Sequence, residues 1–193
     1  MKNMLASSFA TWLRSRAVPL CAAALVGGAL VGCGGGATTG GGSEAPAIAT
    51  GTKATELSVT PVTGEGPTSL ADAAGKVVIV DFWATYCAPC KKSFPKYQEL
   101  VEQFGGDLAV IAVSLDDPED VTPAQLEEFA QATGVKFAVV WDKEKKTAES
   151  YKPPKMPTSY VIDKEGNIRH VHAGYETGEE QKIADEVKAL LGK

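Results

Sequence analysis

Apolar residues along this chain fall into two kinds of run, and the alternation between them sets the expected architecture. Val77-Val78-Ile79-Val80, continued by Phe82 and Trp83 around a single Asp81, is nearly unbroken and rich in β-branched residues. It is too short for a helix and predicts a strand buried on both faces. After Cys90 the period changes, with Phe94, Tyr97, Leu100, Val101 and Phe104 recurring at helical spacing. Residues 108–115, following Gly105-Gly106, give a second strand of the buried kind. Thr122-Pro123 opens the next helix, with Leu126, Phe129 and Ala130 as its apolar stripe and Gly134 as its stop. Residues 137–141 predict a third strand, and 143–151 a short helix stopped by Pro153-Pro154. Pro157 heads a further strand through Tyr160-Val161-Ile162, residues 163–167 turn the chain, and 168–173 return it. Ile183, Val187, Leu190 and Leu191 mark one face of a closing amphipathic helix. Upstream, residues 56–62 give a weaker first strand, and 67–72 a turn into half a turn of helix. Strand, helix and strand in succession predict an α/β fold with a parallel crossover.

The first 52 residues do not share this patterning. Lys2, Arg14 and Arg16 form a positive start, and the apolar, Ala/Gly-rich segment 18–30 is too short to span a bilayer comfortably. Residues 1–32 therefore read as a signal peptide. The segment ends in Leu30-Val31-Gly32-Cys33, which resembles the lipobox of bacterial lipoproteins. That resemblance implies cleavage before Cys33 and lipidation of its thiol and amine, hence a stable membrane anchor. A plain secretory signal or an uncleaved anchor are the competing readings. Residues 33–52, with two Gly triplets, cannot bury enough apolar area to order themselves. As a flexible tether they would hold the domain, residues 53–193, roughly 25 Å from the lipid.

Composition narrows the partners. The chain has 193 residues, 44% of them hydrophobic, which suits one domain plus extensions, and a formal charge of −5. Loss of residues 1–32, which carry three cations and no acid, makes the charge −8. This acidic balance excludes nucleic acid and electrostatic adhesion to anionic lipid. Of the four cysteines, Cys21 leaves with the signal and Cys33 takes lipid, so Cys87 and Cys90 remain as the free pair. An exported chain with one vicinal pair uses cysteine for chemistry rather than for a scaffold.

The spacing places that pair where a strand hands over to a helix. Backbone N–H groups at a helix start favour a thiolate, so Cys87 can attack a disulfide and Cys90 can resolve the mixed disulfide. Half a zinc site is the alternative, but a second cysteine pair is missing. His170 and His172, the only histidines, read as solvated strand residues on one face. Asp116, Asp117, Glu119 and Asp120 read as a solvated charged loop, since they lack EF-hand spacing. Asp81 interrupts an apolar strand. Burial would raise its pKa and suit it to exchange the proton of Cys90, unless it reaches solvent at the strand end. Trp83 and Tyr86 flank the pair, either as an aromatic rim for a substrate or as cover for the core.

Asp81-Phe82-Trp83-Ala84 before Cys87-Ala88-Pro89-Cys90, with Met156-Pro157-Thr158 downstream, resembles the thioredoxin superfamily. Trp83-Ala84-Thr85-Tyr86 and Gly75-Lys76-Val77-Val78 resemble its extracytoplasmic TlpA/ResA-like thiol-disulfide oxidoreductases. The resemblance covers residues 56–192. It implies a thioredoxin-like fold, a central mixed sheet flanked by helices, with a β-α insertion over 117–140 and a short N-terminal hairpin. It also implies a cis Pro157 beside the cysteines and a Met156 backbone that pairs with an extended peptide. The expected unit is a cofactor-free, metal-free monomer in the cell envelope. It would exchange disulfides with exported proteins, apocytochrome c among the candidates, and draw electrons from a membrane-embedded or soluble thiol donor. Two positions depart from the family. Ser93 stands where many members carry glutamate, and Asp81 where asparagine is frequent, so the acid is expected to have moved to Asp81. A peroxiredoxin would need Pro and Thr at Val80 and Ala84, and the copper chaperones of this fold space their cysteines by three residues.

Overall fold

The computed structural model describes residues 49–193. The signal segment, Cys33 and nearly all of the tether lie outside the described residues. β1 (Thr60–Thr63), β2 (Val77–Trp83), β3 (Leu108–Ser114), β4 (Ala138–Trp141), β5 (Thr158–Ile162) and β6 (Ile168–Ala173) form one sheet in the order β1-β4-β3-β2-β5-β6. α1 (Cys90–Phe104), α2 (Pro123–Thr133), α3 (Lys146–Tyr151) and α4 (Glu179–Leu191) connect and close it. β2, β3 and β4 run parallel, while β1, β5 and β6 join by antiparallel pairing. This is the α/β architecture that the sequence predicts, in the thioredoxin-like form that the family resemblance implies. The β3–α2–β4 insertion is the parallel crossover.

β2 lies at the centre because six of its seven residues are apolar, Asp81 being the exception, and all seven are buried. Its alternate side chains feed two cores. Val77, Ile79 and Trp83 face α1, α2 and α4, and join Phe94, Tyr97, Leu126, Phe129, Ile183 and Val187. Val78, Val80 and Phe82 face the other way and join Tyr151, Tyr160, Ile111 and Leu57. Each large apolar side chain so enclosed contributes about 1.5–3 kcal/mol. The helices are bounded as their sequences direct. Thr122 and Gln125 form a reciprocal capping box at the start of α2, and Gly134 takes the left-handed turn after it.

The N-terminal part departs from the expected hairpin. β1 starts at Thr60 rather than 56 and crosses to the far edge of the sheet, where it pairs with β4. Pro61, which has no N–H to give, fits an edge strand with an irregular register between Pro61 and Thr63. Gly64 follows with a positive φ, and a Cβ there would overlap the Phe137 carbonyl, so the close approach to β4 requires glycine. The preceding residues dock elsewhere: Lys53 bridges to Asn167, and the Ala54 N–H donates to Gly166 O at 2.9 Å, at the β5–β6 turn.

Candidate active site

β2 delivers the chain to the site, and two overlapping turns bend it into α1. The Cys87 N–H donates to Ala84 O at 3.0 Å, and the Cys90 N–H to Cys87 O at 3.1 Å. Pro89 precedes the helix with φ −66°, already helical, and supplies no side-chain cap. Cys87 and Cys90 are joined as a disulfide with their Cα atoms 5.3 Å apart. The Cys90 N–H also lies 3.2 Å from Cys87 Sγ. In the dithiol form that N–H, at the positive end of a helix of 15 residues, favours a thiolate on Cys87. Cys87 is 6% exposed and Cys90 fully enclosed, so Cys87 is the sulfur an incoming partner can reach.

The turn before Cys87 is held by a residue that the sequence assigns to a solvated loop. Asp116 is buried, unlike its exposed neighbours Asp117, Glu119 and Asp120. Its carboxylate accepts from the Thr85 N–H at 3.0 and 3.1 Å, the Thr85 hydroxyl at 2.6 Å and the Ser114 hydroxyl at 2.9 Å. The charge is affordable in the interior because four donor contacts replace its water. The Asp116 carbonyl in turn accepts from Trp141 Nε1 and Lys145 Nζ. The one sequence signal was Ser114-x-Asp116 at a strand end, which is too common to single out.

Asp81 is wholly buried and points to the α1 side of the sheet, between Ile79 and Trp83 in the alternation of β2. Cross-strand pairing sets it opposite Ser159 of β5, whose hydroxyl donates to Asp81 Oδ1 at 2.6 Å. Oδ2 has no hydrogen-bond partner among the described residues. Burial pushes the carboxyl pKa up to about 7, and the Ser159 bond offsets only part of that rise. Asp81 thus changes its proton near neutrality, as a base for a thiol must.

Trp83 is also wholly buried, edge-on to Phe94 and tilted against Phe129 with centroids at 5.0 and 4.4 Å. It has no surface for a substrate, which corrects the aromatic-rim expectation for this residue: Trp83 supports the cysteine turn from within. Tyr86 is the opposite, 72% exposed, and no other large hydrophobic side chain among the described residues is exposed. Ser93 is buried with its hydroxyl 3.2 Å from Cys90 O, so it serves the helix backbone.

The Met156–Pro157 peptide is cis. Met156 packs against the same core cluster as the two cysteines, and with Pro89 it borders a groove of about 580 Å³. Gly174, Tyr175 and Glu179 form the opposite wall, fastened where the Gly174 N–H donates to Pro157 O at 2.6 Å. His172 is not a solvated residue. It is buried on β6 beside Ser159, with Nδ1 3.2 Å from Glu179 and Nε2 2.7 Å from Glu186 of α4. His170, half-buried, meets Glu186 at 3.4 Å. Only the folded position of α4 brings these glutamates to the strand. Among the described residues, no cluster of His, Cys, Asp and Glu could hold a metal ion, and no helix is long and apolar enough to cross a membrane.

Comparison with known proteins agrees with this arrangement. The model of the AhpC/TSA family matches residues 50–171. Thioredoxin-like protein YneN of Bacillus subtilis is 34% identical over 135 residues, covering 70% of this chain and 78% of that protein. Thiol-disulfide oxidoreductase ResA of Geobacillus kaustophilus is 30% identical over 139 residues, covering 72% and 77%. Among solved structures, a Chlorobium tepidum chain assigned as thiol:disulfide interchange protein DsbE superposes with a TM-score of 0.66 at 29% identity. That superposition covers 75% of this chain and 99% of the other.

Proposed function

The chain belongs to the AhpC/TSA family and, within the thioredoxin superfamily, is a TlpA/ResA-like thiol-disulfide oxidoreductase; on that premise we propose that it is an envelope-anchored reductase of disulfides in exported proteins. The observation that carries the reading is the Cys87–Cys90 disulfide at the start of α1, with Cys87 its less enclosed sulfur and Pro89 of the same turn on the groove that Met156 borders.

In the reaction, the Cys87 thiolate attacks a substrate disulfide, and one substrate sulfur leaves as thiolate. Cys90 then gives its proton to Asp81, its sulfur attacks Cys87, and the second substrate sulfur leaves. The substrate gains two electrons and, with protons from Asp81 and solvent, becomes a dithiol, while Cys87 and Cys90 become the disulfide seen here. An extended segment of substrate lies against Tyr86 and along the backbone of Met156 and Pro157, pairing as an added strand. The cysteine pair of an exported apocytochrome c has the chemistry this site takes. Cys33 carries the lipid that keeps the domain at the membrane, and a membrane-embedded or soluble thiol donor regenerates the dithiol. The protein acts as a monomer.

The family name raises peroxidase activity as a second reading, but Val80 and Ala84 occupy the positions where peroxidatic proline and threonine would stand. A redox titration of the Cys87–Cys90 couple tests the direction. A midpoint near that of thioredoxin, about −270 mV, is expected, and one near about −120 mV, typical of strong oxidants, would reverse it. Retention of Cys33→Ala in washed membranes would remove the anchor from the account.

A further inference from the structure

Asp81 does not stand alone on its face of β2. The Ser159 hydroxyl is 2.6 Å from Asp81 Oδ1, and the Tyr97 hydroxyl is 2.7 Å from Ser159 Oγ. All three residues are enclosed, at 1% exposure or less, and they come from three elements: β2, β5 and α1. We propose that Ser159 and Tyr97 are positioning residues for Asp81, a two-hydroxyl chain that fixes the carboxyl by Oδ1 and reserves Oδ2 for the proton of Cys90. The inference rests on the reading of Asp81 as the base.

The chemistry of the chain is directional. A serine hydroxyl has one hydrogen, so when it donates to Asp81 it can accept from Tyr97, and each bond strengthens the next in a low-dielectric interior. With Asp81 ionised, both hydrogens therefore point toward the carboxylate. With Asp81 protonated, the same hydroxyls can turn, and no heavy atom need move. Tyr97 is suited to the donor role, because burial and the nearby Asp81 charge hold its phenol well above its ordinary pKa and hence neutral. Oδ2, lacking a partner among the described residues, is the oxygen left to exchange protons. A carboxyl without this chain would be free to rotate and would be harder to ionise.

Other titratable groups border the chain and enter its test. On α1 these are Tyr97 and Cys90, the latter in the disulfide. Beyond Ser159, β6 brings His172, clasped by Glu179 and Glu186 of α4, and Glu179 and Tyr175 lie within electrostatic reach of Tyr97.

The experiment follows the Asp81 side-chain carboxyl by carbon NMR through a pH titration of the oxidised full chain, alongside the pH profile of disulfide reduction. The parent midpoint is expected at about 7. Ser159→Ala, which removes a bond to the charged form, should raise it by about one pH unit, and Tyr97→Phe by a smaller amount. His172→Gln should leave it in place. Unmoved midpoints in Ser159→Ala and Tyr97→Phe, with the rate inflection still lost in Asp81→Asn, overturn this inference alone. An inflection that survives Asp81→Asn overturns the reading beneath it. A His172→Gln midpoint that moves as far as that of Ser159→Ala assigns the shift to the imidazole cluster and overturns the inference too.

Discussion

The aromatic clusters on the two faces of the sheet are both enclosed but treat nearby polar atoms differently. On the face away from α1, Phe82, Tyr151 and Tyr160 form an aromatic cluster with centroids 5.1–5.7 Å apart. Both phenols there are matched to carbonyls, Tyr151 to Thr55 O at 2.6 Å and Tyr160 to Tyr151 O at 2.8 Å. On the α1 face, Trp83, Phe94 and Phe129 form the corresponding cluster, yet Trp83 Nε1 and Asp81 Oδ2 have no partner among the described residues. Matched polar groups stabilise a fold; an unmatched one is a cost that persists where it serves chemistry. The same contrast separates the two buried aspartates near the site. Asp116 is saturated with donors and holds a turn, whereas Asp81 is undersupplied and so keeps a proton available near pH 7.

The sharpest way to break the contrast is Asp81→Asn. The folded carboxyl titrates at about 7 against an ordinary value of 3.8. The folded state therefore binds the extra proton between those values, and stability falls as pH rises through that window. Below about pH 4 the parent and variant should unfold alike. Above about pH 7 the variant should be the more stable, on the order of 4 kcal/mol if the amide costs nothing. Denaturant unfolding of the oxidised forms across that range measures it, and parallel curves would show that the carboxyl is not protonated in the fold. The gain should come with slower disulfide reduction near pH 7.

Asp116→Ala works in the opposite sense. It strands the Thr85 N–H and two hydroxyls, and should destabilise by about 1–3 kcal/mol. Because the loosened segment leads directly into Cys87, reduction of a disulfide substrate should slow as well. A variant that loses stability but keeps the full rate would confine Asp116 to the scaffold.

The smallest effect is expected on the other face. Tyr151→Phe removes one matched hydroxyl and should cost about 1 kcal/mol. Its exchange rate and pH profile should equal the parent's. A shifted profile would mean that the two faces are coupled through β2, and the division drawn here would fail.

Most of the architecture was legible in the sequence. β2 to β6 and the four helices fall within a few residues of the hydrophobic patterns, because strands buried on both faces are unbroken apolar runs and the helices carry amphipathic stripes. The first strand was the exception, since a short edge strand with Pro61 has little burial to advertise its partner, and its pairing with β4 is a long-range choice. Cys87 and Cys90 were legible as a pair because their relation is local, one helical turn. An aromatic residue beside a cysteine reads as rim or as core, and only its neighbours in the fold place Trp83.

What the sequence determined by itself was therefore everything that depends on neighbours along the chain: element types, the cysteine pair at a helix start, and a carboxyl set in an apolar strand. What only the tertiary structure decided was company across the sheet. Ser159 meets Asp81 through an antiparallel register, Tyr97 reaches Ser159 because α1 packs on that face, and His172 is clasped only once α4 closes. A serine, a tyrosine and a histidine scattered over some 75 residues have no pattern to read. Register and packing are collective properties of burial, and they alone convert a buried aspartate into one with a proton to trade.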